Sequence, residues 1–594
     1  MARRLTEPFD RLPFTTPDKA RRYDTDRYAG AVGLNWYTCD PTLQALMRRH
    51  LSAAELTWAT PHLERIGALM GGPVAARAEL TDRNPPYLEK YDRWGHDISR
   101  VVFPESFEAS RRELLADNFA SPEFRRQARD ADVPIRPLTT AWSYLLCQAE
   151  IAMACALGTG TDMVERLVEQ FAPNDVRERV RTLSANGALA GETAQLLTER
   201  TGGSDLAALE TTATPDGDAW RLNGYKWFAS NANGAAFVVL AKPVGADDGI
   251  RGIAPFLVLW DERDGRRNGI RIRQLKDKLG TKGVASCEVE LHDAEAFMLA
   301  PSDPSTPGSG NAGDGRGVAR MMEMTNGARL GISMMGLGCA RRSLVESLCF
   351  ASAREAFGHP LIDQPLMQRK LAELIVEVEA AQQLVFDGYL QPMRISAPLI
   401  KLRAARLGIT ASADALEIHG GNGYVEQWPI ARIVRDALVN PVWEGPDNIL
   451  CLDVRRAIER EDGHKALLER MWVALERAPG DDEQTVATVE RAVERADTAI
   501  DRWGHLDRAT GEARLFPLAQ LLVDAYAGAL LLEHAGWAAT TGGGDRAGLV
   551  ARLYARSHLA GTDPLDRLTE PAEDLERFRD LVDGAFVDHR TPAA

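Results

Sequence analysis

A carboxylate beside an aromatic residue in a short apolar run is a candidate general base, because dry surroundings raise its proton affinity. The chain offers one in Val439-Asn440-Pro441-Val442-Trp443-Glu444-Gly445. Nineteen residues before Trp443 lies Tyr424, the end of His419-Gly420-Gly421-Asn422-Gly423-Tyr424. A glycine-rich turn of this kind lets a ligand approach the backbone closely. A turn that holds something flat and a base that faces it suit proton abstraction next to a redox cofactor. Read alone, Glu444 is equally an N-cap or surface carboxylate.

Four further clusters carry polar chemistry. Leu197-Thr198-Glu199-Arg200-Thr201-Gly202-Gly203-Ser204-Asp205 combines hydroxyls, glycines and free backbone N–H groups that can wrap a polar or anionic ligand, or form a solvated turn. Lys226-Trp227-Phe228-Ala229-Ser230-Asn231 sets a hydroxyl three residues after a tryptophan, an aromatic wall and a donor for a ring system, or a core tryptophan. Asn326-Gly327-Ala328-Arg329 and Arg354-Glu355-Ala356-Phe357-Gly358 place arginines near these segments, where a phosphate or pyrophosphate role competes with an ordinary surface role.

The elements that position these residues follow from the rest of the chain. Its 594 residues suggest about four structural units. A net charge of −15 disfavours broad binding to nucleic acid or anionic membranes. The N-terminus lacks an apolar signal core. The apolar stretch from Phe516 to Trp537 is interrupted by Asp524, Glu533 and His534 and reads as a buried core helix. Seven scattered cysteines with no CxxC spacing argue against structural zinc or a disulfide framework, and no metal site is expected. A reducing cytoplasm fits this usage best.

Residues 1–40 are polar and read as an N-terminal arm. Residues 41–190 read as helical, with Leu43, Leu46 and Met47 at helical spacing and an apolar helix from Trp142 to Leu157. Asp82 to Tyr87 reads as a break between helices. Between 191 and 300 the pattern turns to short strand-like runs at 219–224, 236–241, 253–260 and 285–291, a mostly antiparallel unit. Residues 301–317 have the composition of a flexible linker. Residues 318–460 are helical again, with small residues at Gly336, Gly338 and Ala340 that allow close helix packing. Residues 461–594 add helices near 484–502, 516–537 and 565–586. No strand–GxGxxG–helix fingerprint is present, so a dinucleotide would bind in some other way than on a Rossmann fold.

Taken in order, these segments resemble the acyl-CoA dehydrogenase family of flavoproteins. The resemblance covers about 140–455, through T-E-x-x-x-G-S-D at 198–205, K-W-F-A-S-N at 226–231, K-L-G-x-K from Lys278 to Lys282, A-R-x-x-F-G at 353–358, G-G-N-G-Y at 420–424 and W-E-G-x-x-N-I at 443–449. The N-terminal segments Asn35-Trp36-Tyr37 and Asn84-Pro85-Pro86-Tyr87 are similar to the alkylation-response branch of that family. The resemblance implies an α+β, mostly α, acyl-CoA dehydrogenase fold. Its parts are an N-terminal helical domain, a central β-barrel-like domain, a four-helix bundle and here an extra C-terminal helical domain. It implies non-covalent FAD held by Leu197, Thr198, Gly203 and Ser204. Trp227 would lie beside the isoalloxazine and Ser230 near its N5. Arg354 and Phe357 would contact FAD, that of a neighbouring subunit included, and Gly420 and Gly421 would line the adenine–pyrophosphate end.

On this reading Glu444 is the catalytic base and Arg329 sits beside it. Glu444 takes the α-proton of an acyl thioester while the β-hydride passes to the flavin, giving a 2,3-enoyl thioester. The expected partners are an acyl-CoA or acyl-carrier-protein thioester and, as electron acceptor, an electron-transfer flavoprotein or oxygen. A homodimer or homotetramer is expected, with no nucleic acid and no membrane. The sequence departs from the family at Arg200, where proline is usual, at Pro446 in place of a threonine, and at Asn326 in place of an acidic residue. Two alternatives stay open: an alkylation-response flavoprotein associated with DNA, and an acyl-CoA oxidase using oxygen. Against the first, residues 461–594 hold 15 Lys/Arg and 25 Asp/Glu, whereas phosphate contacts need positive charge.

Overall fold

The computed structural model describes residues 30–158, 161–185, 193–231, 233–301, 314–480, 482–561 and 572–590. Most of the expected arm and linker lies outside the described residues, as does the start of the last expected helix.

The N-terminal region is helical and starts on clear caps. Asp40 accepts from the Leu43 N–H at 2.9 Å and opens the Pro41–His50 helix, with Pro41 at a position where its missing N–H costs nothing. Ser52 and Glu55 form a capping box on the Ala53–Leu69 helix. Two local features differ from the sequence reading. The break at Asn84-Pro85-Pro86 leads into an antiparallel hairpin, β1 (Tyr87–Tyr91) and β2 (Asp97–Val102), not into a helix. The hairpin docks on the β unit, where the Lys90 ammonium donates to the Ile272 carbonyl at 2.7 Å. The expected helix from Trp142 to Leu157 is two helices, Ile135–Ala149 and Ile151–Gly158, broken at Glu150, which is extended (φ −162, ψ 108).

Seven strands follow: β3 (Thr193–Leu196), β4 (Thr212–Asp216), β5 (Ala219–Ser230), β6 (Ala236–Pro243), β7 (Ala254–Leu259), β8 (Ile270–Leu275) and β9 (Ser286–Met298). The pairings β6–β4, β4–β5, β5–β9, β9–β7 and β7–β6 return to their start, so five strands close a ring. Strand β3 adds to β6 and β8 to β9. This is the barrel-like unit expected from the resemblance. Strands β6 and β7 read as continuous apolar runs because both faces are covered: Phe237, Val239 and Val258 belong to the barrel core, while Val238, Leu240 and Leu257 pack with Val164, Leu167 and Val168 of the Thr161–Phe171 helix.

The bundle is built on Gly317–Ala353, Pro365–Leu390 and Ser396–His419, with Pro429–Ala437 and Asp447–Glu461 after them. The first and third helices run parallel and touch closely. A Cβ on Gly336 would lie 2.3 Å from the Ala404 carbonyl oxygen, and one on Gly338 would lie 2.5 Å from the Cys147 backbone. Only glycine permits that approach, as the small-residue stretch suggested. The apolar segment near 516–537 is the Leu515–Thr540 helix, long and apolar enough to cross a membrane by composition but mostly buried among the other helices. It shares one continuous hydrophobic core with the bundle and the N-terminal helices. A buried ionic cluster ties the same three regions: Arg470 meets Asp387 and Glu533 at 2.6 Å each, and Arg49 meets Glu533 at 2.8 Å. All seven cysteines are buried free thiols.

Candidate active site

Glu444 lies on the turn between the Pro429–Ala437 and Asp447–Glu461 helices. Its φ of 55° is left-handed, and so is that of Gly445 at 96°. For a residue with a Cβ such backbone costs on the order of 1–2 kcal/mol, so something must hold it. Two buried cations do. The Lys401 ammonium donates to the carbonyls of Trp443 and Gly445, at 2.5 Å each. Arg329 donates from Nε to the carbonyl of Glu444 itself at 3.2 Å. Three consecutive carbonyls are thus pinned. Arg329 is in turn fixed by Asp453 and by Asn326, whose side-chain oxygen accepts at 3.0 Å. Asn326, one of the departures from the family, therefore still orients the arginine.

Among the described residues, the Glu444 carboxyl and its own N–H have no hydrogen-bond partner. Burial pushes the carboxyl above the ordinary glutamate range, and the Lys401 and Arg329 charges pull part of the way back. The same burial pulls Lys401 down to about 8. A half-buried base is thereby left with two cations on its backbone side and, among the described residues, nothing bonded to its oxygens.

The β unit reaches this carboxyl through the Ile151–Gly158 helix. Asn231, at the end of β5, donates from its side chain to Ala156 at 3.4 Å and to Thr193 at 3.0 Å. Cys155, next to Ala156, feels both Glu444 and Lys278 electrostatically. Lys278, the first lysine of K-L-G-x-K, is drawn down to about 8 by burial. It donates to the Thr281 and Val284 carbonyls at 2.7 Å each, and to Ser286 Oγ at 3.1 Å. Ser230 and Ser286 hydroxyls lie 3.0 Å apart.

The loop at 197–204 folds beside β5, because the Trp227 N–H donates to the Thr198 carbonyl at 2.8 Å. Glu199 and Gly202 exchange backbone hydrogen bonds, and a Cβ on Gly203 would lie 2.8 Å from Thr198 Oγ1. Glu199 anchors the loop through a buried ion pair with Lys226 at 2.6 Å. Leu197 and Thr198 are half-buried, while Gly203 and Ser204 are exposed. Inward-facing residues on β5 step from Lys226 to Ala229, a three-residue interval that the bulge there allows. Trp227, Phe228 and Ser230 consequently all face outward. Lys276 lies 3.2 Å over the Trp227 ring and Arg200 5.1 Å from it. Phe228, which the sequence reading left out, is the more exposed ring of the pair.

The remaining predicted residues gather elsewhere. Arg354 follows the C-terminus of the Gly317–Ala353 helix, and Phe357 tips a two-residue hairpin with φ 54°, followed by Gly358 at 87°. Phe357 is 94% exposed. Gly420 and Gly421 cap the parallel Ser396–His419 helix with open space around them. The two helix ends meet where Phe350 stacks on His419 at 4.4 Å. From Arg329 to Phe350 along one helix is about 30 Å. One chain therefore pairs Glu444 with Arg329, groups Thr198 with Gly203 and Trp227, links Ser230 to the Glu444 side only through Asn231, Ala156 and Cys155, and sets Arg354, Phe357, Gly420 and Gly421 at the far end of the bundle from Arg329.

Sequence reasoning missed Lys401, Asp453, Ser286 and Phe228. Lys401 had a signal, a single lysine inside Ala-Pro-Leu-Ile-Lys-Leu, since an unpaired lysine is almost never buried.

Comparison with known proteins agrees with this architecture. The acyl-CoA dehydrogenase C-terminal domain matches residues 315–459 and its middle domain 194–294. A protein of Escherichia coli (strain K12) named "Putative acyl-CoA dehydrogenase AidB" is 30% identical over 445 residues, spanning 70% of this chain and 77% of that one. The chain belongs to the acyl-CoA dehydrogenase family, oxidoreductases that act on CH–CH bonds. Within it, the N-terminal region is of the AidB kind: the adaptive response protein AidB N-terminal domain matches residues 29–185. Two solved structures share the fold. The crystal structure of Caenorhabditis elegans ACDH-11 in complex with C11-CoA has a TM-score of 0.78 at 24% identity and covers 91% of this chain and 95% of its own. The acyl-CoA dehydrogenase complexed with FAD from Bacillus anthracis has a TM-score of 0.62 at 18% identity, covering 80% and 89%.

Proposed function

We propose that this chain is an FAD-dependent acyl-thioester dehydrogenase in which Glu444 removes the α-proton. The observation that carries this is the Glu444 turn: a strained, clamped backbone presenting an unbonded carboxyl whose proton affinity is raised. A base matched to a weak carbon acid needs that elevation.

The residues present fit FAD. The flat loop closed by Gly203 on Thr198, the outward Ser230 hydroxyl, the Trp227 and Phe228 rings, and the open backbone at Gly420 and Gly421 suit a long ligand with a flat ring at one end and phosphates at the other. FAD, when bound, supplies the two-electron acceptor for the hydrogen that leaves the β-carbon. The chain's own residues do the rest. The Glu444 N–H is free to donate to the thioester carbonyl, which acidifies the α-carbon. Lys401 and Arg329 keep the carboxyl aimed and moderate its proton affinity.

Arg354, Phe357, Gly420 and Gly421 are exposed and distant from Glu444, which supports a homo-oligomer in which one copy's exposed end completes the cofactor site of another. The substrate class we favour is an acyl-CoA or acyl-carrier thioester, with an electron-transfer flavoprotein or oxygen as acceptor, in the cytoplasm. The acidic 461–594 region supports no role in binding duplex DNA. Anaerobic addition of a panel of acyl-CoA and acyl-carrier thioesters to the flavin-loaded protein tests the reading. Bleaching of the flavin by at least one member is expected. A flavin that stays yellow with every thioester would count against it.

A further inference from the structure

Lys278, Ser286 and Ser230 form a line of hydrogen bonds whose direction can be deduced. An ammonium has three protons to give and no lone pair to accept with. Lys278 has three acceptors: the Thr281 and Val284 carbonyls at 2.7 Å and Ser286 Oγ at 3.1 Å. Ser286 Oγ therefore accepts from the lysine, and its single proton must go elsewhere. The register of β5 against β9 sets Ser230 directly opposite Ser286, and the two hydroxyl oxygens lie 3.0 Å apart. Ser286 thus donates to Ser230. Ser230, having accepted, keeps its own proton for a partner on the other side. Among the described residues Ser230 Oγ has no such partner. It faces outward with Trp227 and Phe228, beside the Asn231 link to Ala156.

We infer that Lys278 and Ser286 are positioning residues that fix Ser230 as an obligate hydrogen-bond donor toward the flavin ring system. The inference rests on the FAD reading above and adds to it residues that touch neither cofactor nor substrate. The lysine acts at two removes. Its charge polarises the chain, and a polarised chain makes a stronger terminal donor. By the resemblance Ser230 lies near N5, which accepts in the oxidised ring and carries hydrogen in the reduced one, so a fixed donor there favours the oxidised form. Burial works against the charge and draws the lysine down to about 8, while the Asp436 carboxylate on the Pro429–Ala437 helix favours the ammonium. The K-L-G-x-K motif would then serve the cofactor's redox poise as well as the fold.

The test is the flavin midpoint potential of the FAD-loaded full chain, titrated anaerobically beside a thermal unfolding curve. Ser286→Ala removes the middle of the chain and leaves both carbonyl bonds of Lys278 in place, so it carries the test even if Lys278→Met does not fold. Ser286→Ala and Lys278→Met should each strengthen the preference for reduced over oxidised flavin about tenfold, or about 30 mV more positive for a two-electron couple. Ser286→Thr, which keeps a hydroxyl, should restore the wild-type potential. A wild-type potential in Ser286→Ala with FAD bound overturns the inference and leaves the functional reading standing. A protein that takes up no FAD at all overturns the functional reading, and the inference with it.

Discussion

At the Arg329 end of the Gly317–Ala353 helix, Arg329 and Lys401 are buried and donate to the Glu444 turn, while the buried Asp453 and the Asn326 side chain hold Arg329 in place. At its Arg354 end, Phe357 is 94% exposed, Phe357 and Gly358 sit in left-handed backbone, and Gly420 and Gly421 have empty space around them. Both ends hold strained turns. The first strain is contained by buried cations; the second turn is tied at its base, where the Gln364 side chain donates to the Ala356 carbonyl at 2.9 Å and the Leu361 N–H to the Arg354 carbonyl at 2.8 Å. A turn held from within can aim a reacting group. A turn whose tip projects into solvent is suited to meet something else, whether a cofactor or a second copy.

Substitutions can break this contrast. The largest effect is expected for Glu444→Gln, which keeps the shape and removes the base. Turnover should fall about 10²- to 10⁴-fold with FAD binding unchanged. Steady-state rates alongside flavin stoichiometry check it. Lys401→Met should lower turnover about 10²-fold by loosening the turn. It should also move the acid limb of the kcat/KM pH profile upward, because the Lys401 charge holds the Glu444 proton affinity down. An unmoved limb would reduce Lys401 to a structural prop.

Glu150 sharpens the account of the buried end. It is 4% exposed, and burial raises it to about 8, opposed by Arg432. A carboxyl whose folded value is raised binds its proton more tightly when folded. Stability is then retained below the unfolded value near 4.5 and lost as pH rises toward about 8. Glu150→Gln should therefore gain a few kcal/mol over wild type at pH 9 and nothing at pH 4. Chemical denaturation at the two pH values decides. At the exposed end, Arg354→Ala should weaken FAD retention about tenfold, the worth of one charge-assisted hydrogen bond, and leave the melting temperature of the chain unchanged. A large loss of stability there would mean that this end is not free for a partner.

Much of this was legible in the sequence. Apolar alternation and turn residues located four of the seven barrel strands, and the ordered motifs located Glu444, Arg329, Thr198 and Ser230. What was not legible depends on burial by distant elements. The apolar run around Lys401 hints at burial, but the Trp443 carbonyl it binds lies 42 residues further on, which no local pattern reveals. The helix break at Glu150 is invisible because the residues on both sides favour helix; a Cβ on Gly283 would lie 2.5 Å from the Glu150 carboxylate, so the break is a tertiary demand. The pairing of Ser230 with Ser286 follows from strand register, which a motif read along the chain does not contain. The separation of Arg354 and Gly420 from Glu444 is likewise a matter of helix length and direction.

The central claim is that Glu444 takes the α-proton, and exchange of that proton measures it directly. A slowly reduced or β-blocked acyl thioester is incubated in deuterium oxide with flavin-loaded protein, and deuterium at the α-carbon is followed by mass spectrometry. Wild type is expected to incorporate deuterium, and Glu444→Gln, with the same bound flavin, to incorporate none above the uncatalysed rate. Wild-type exchange in Glu444→Gln would contradict the account.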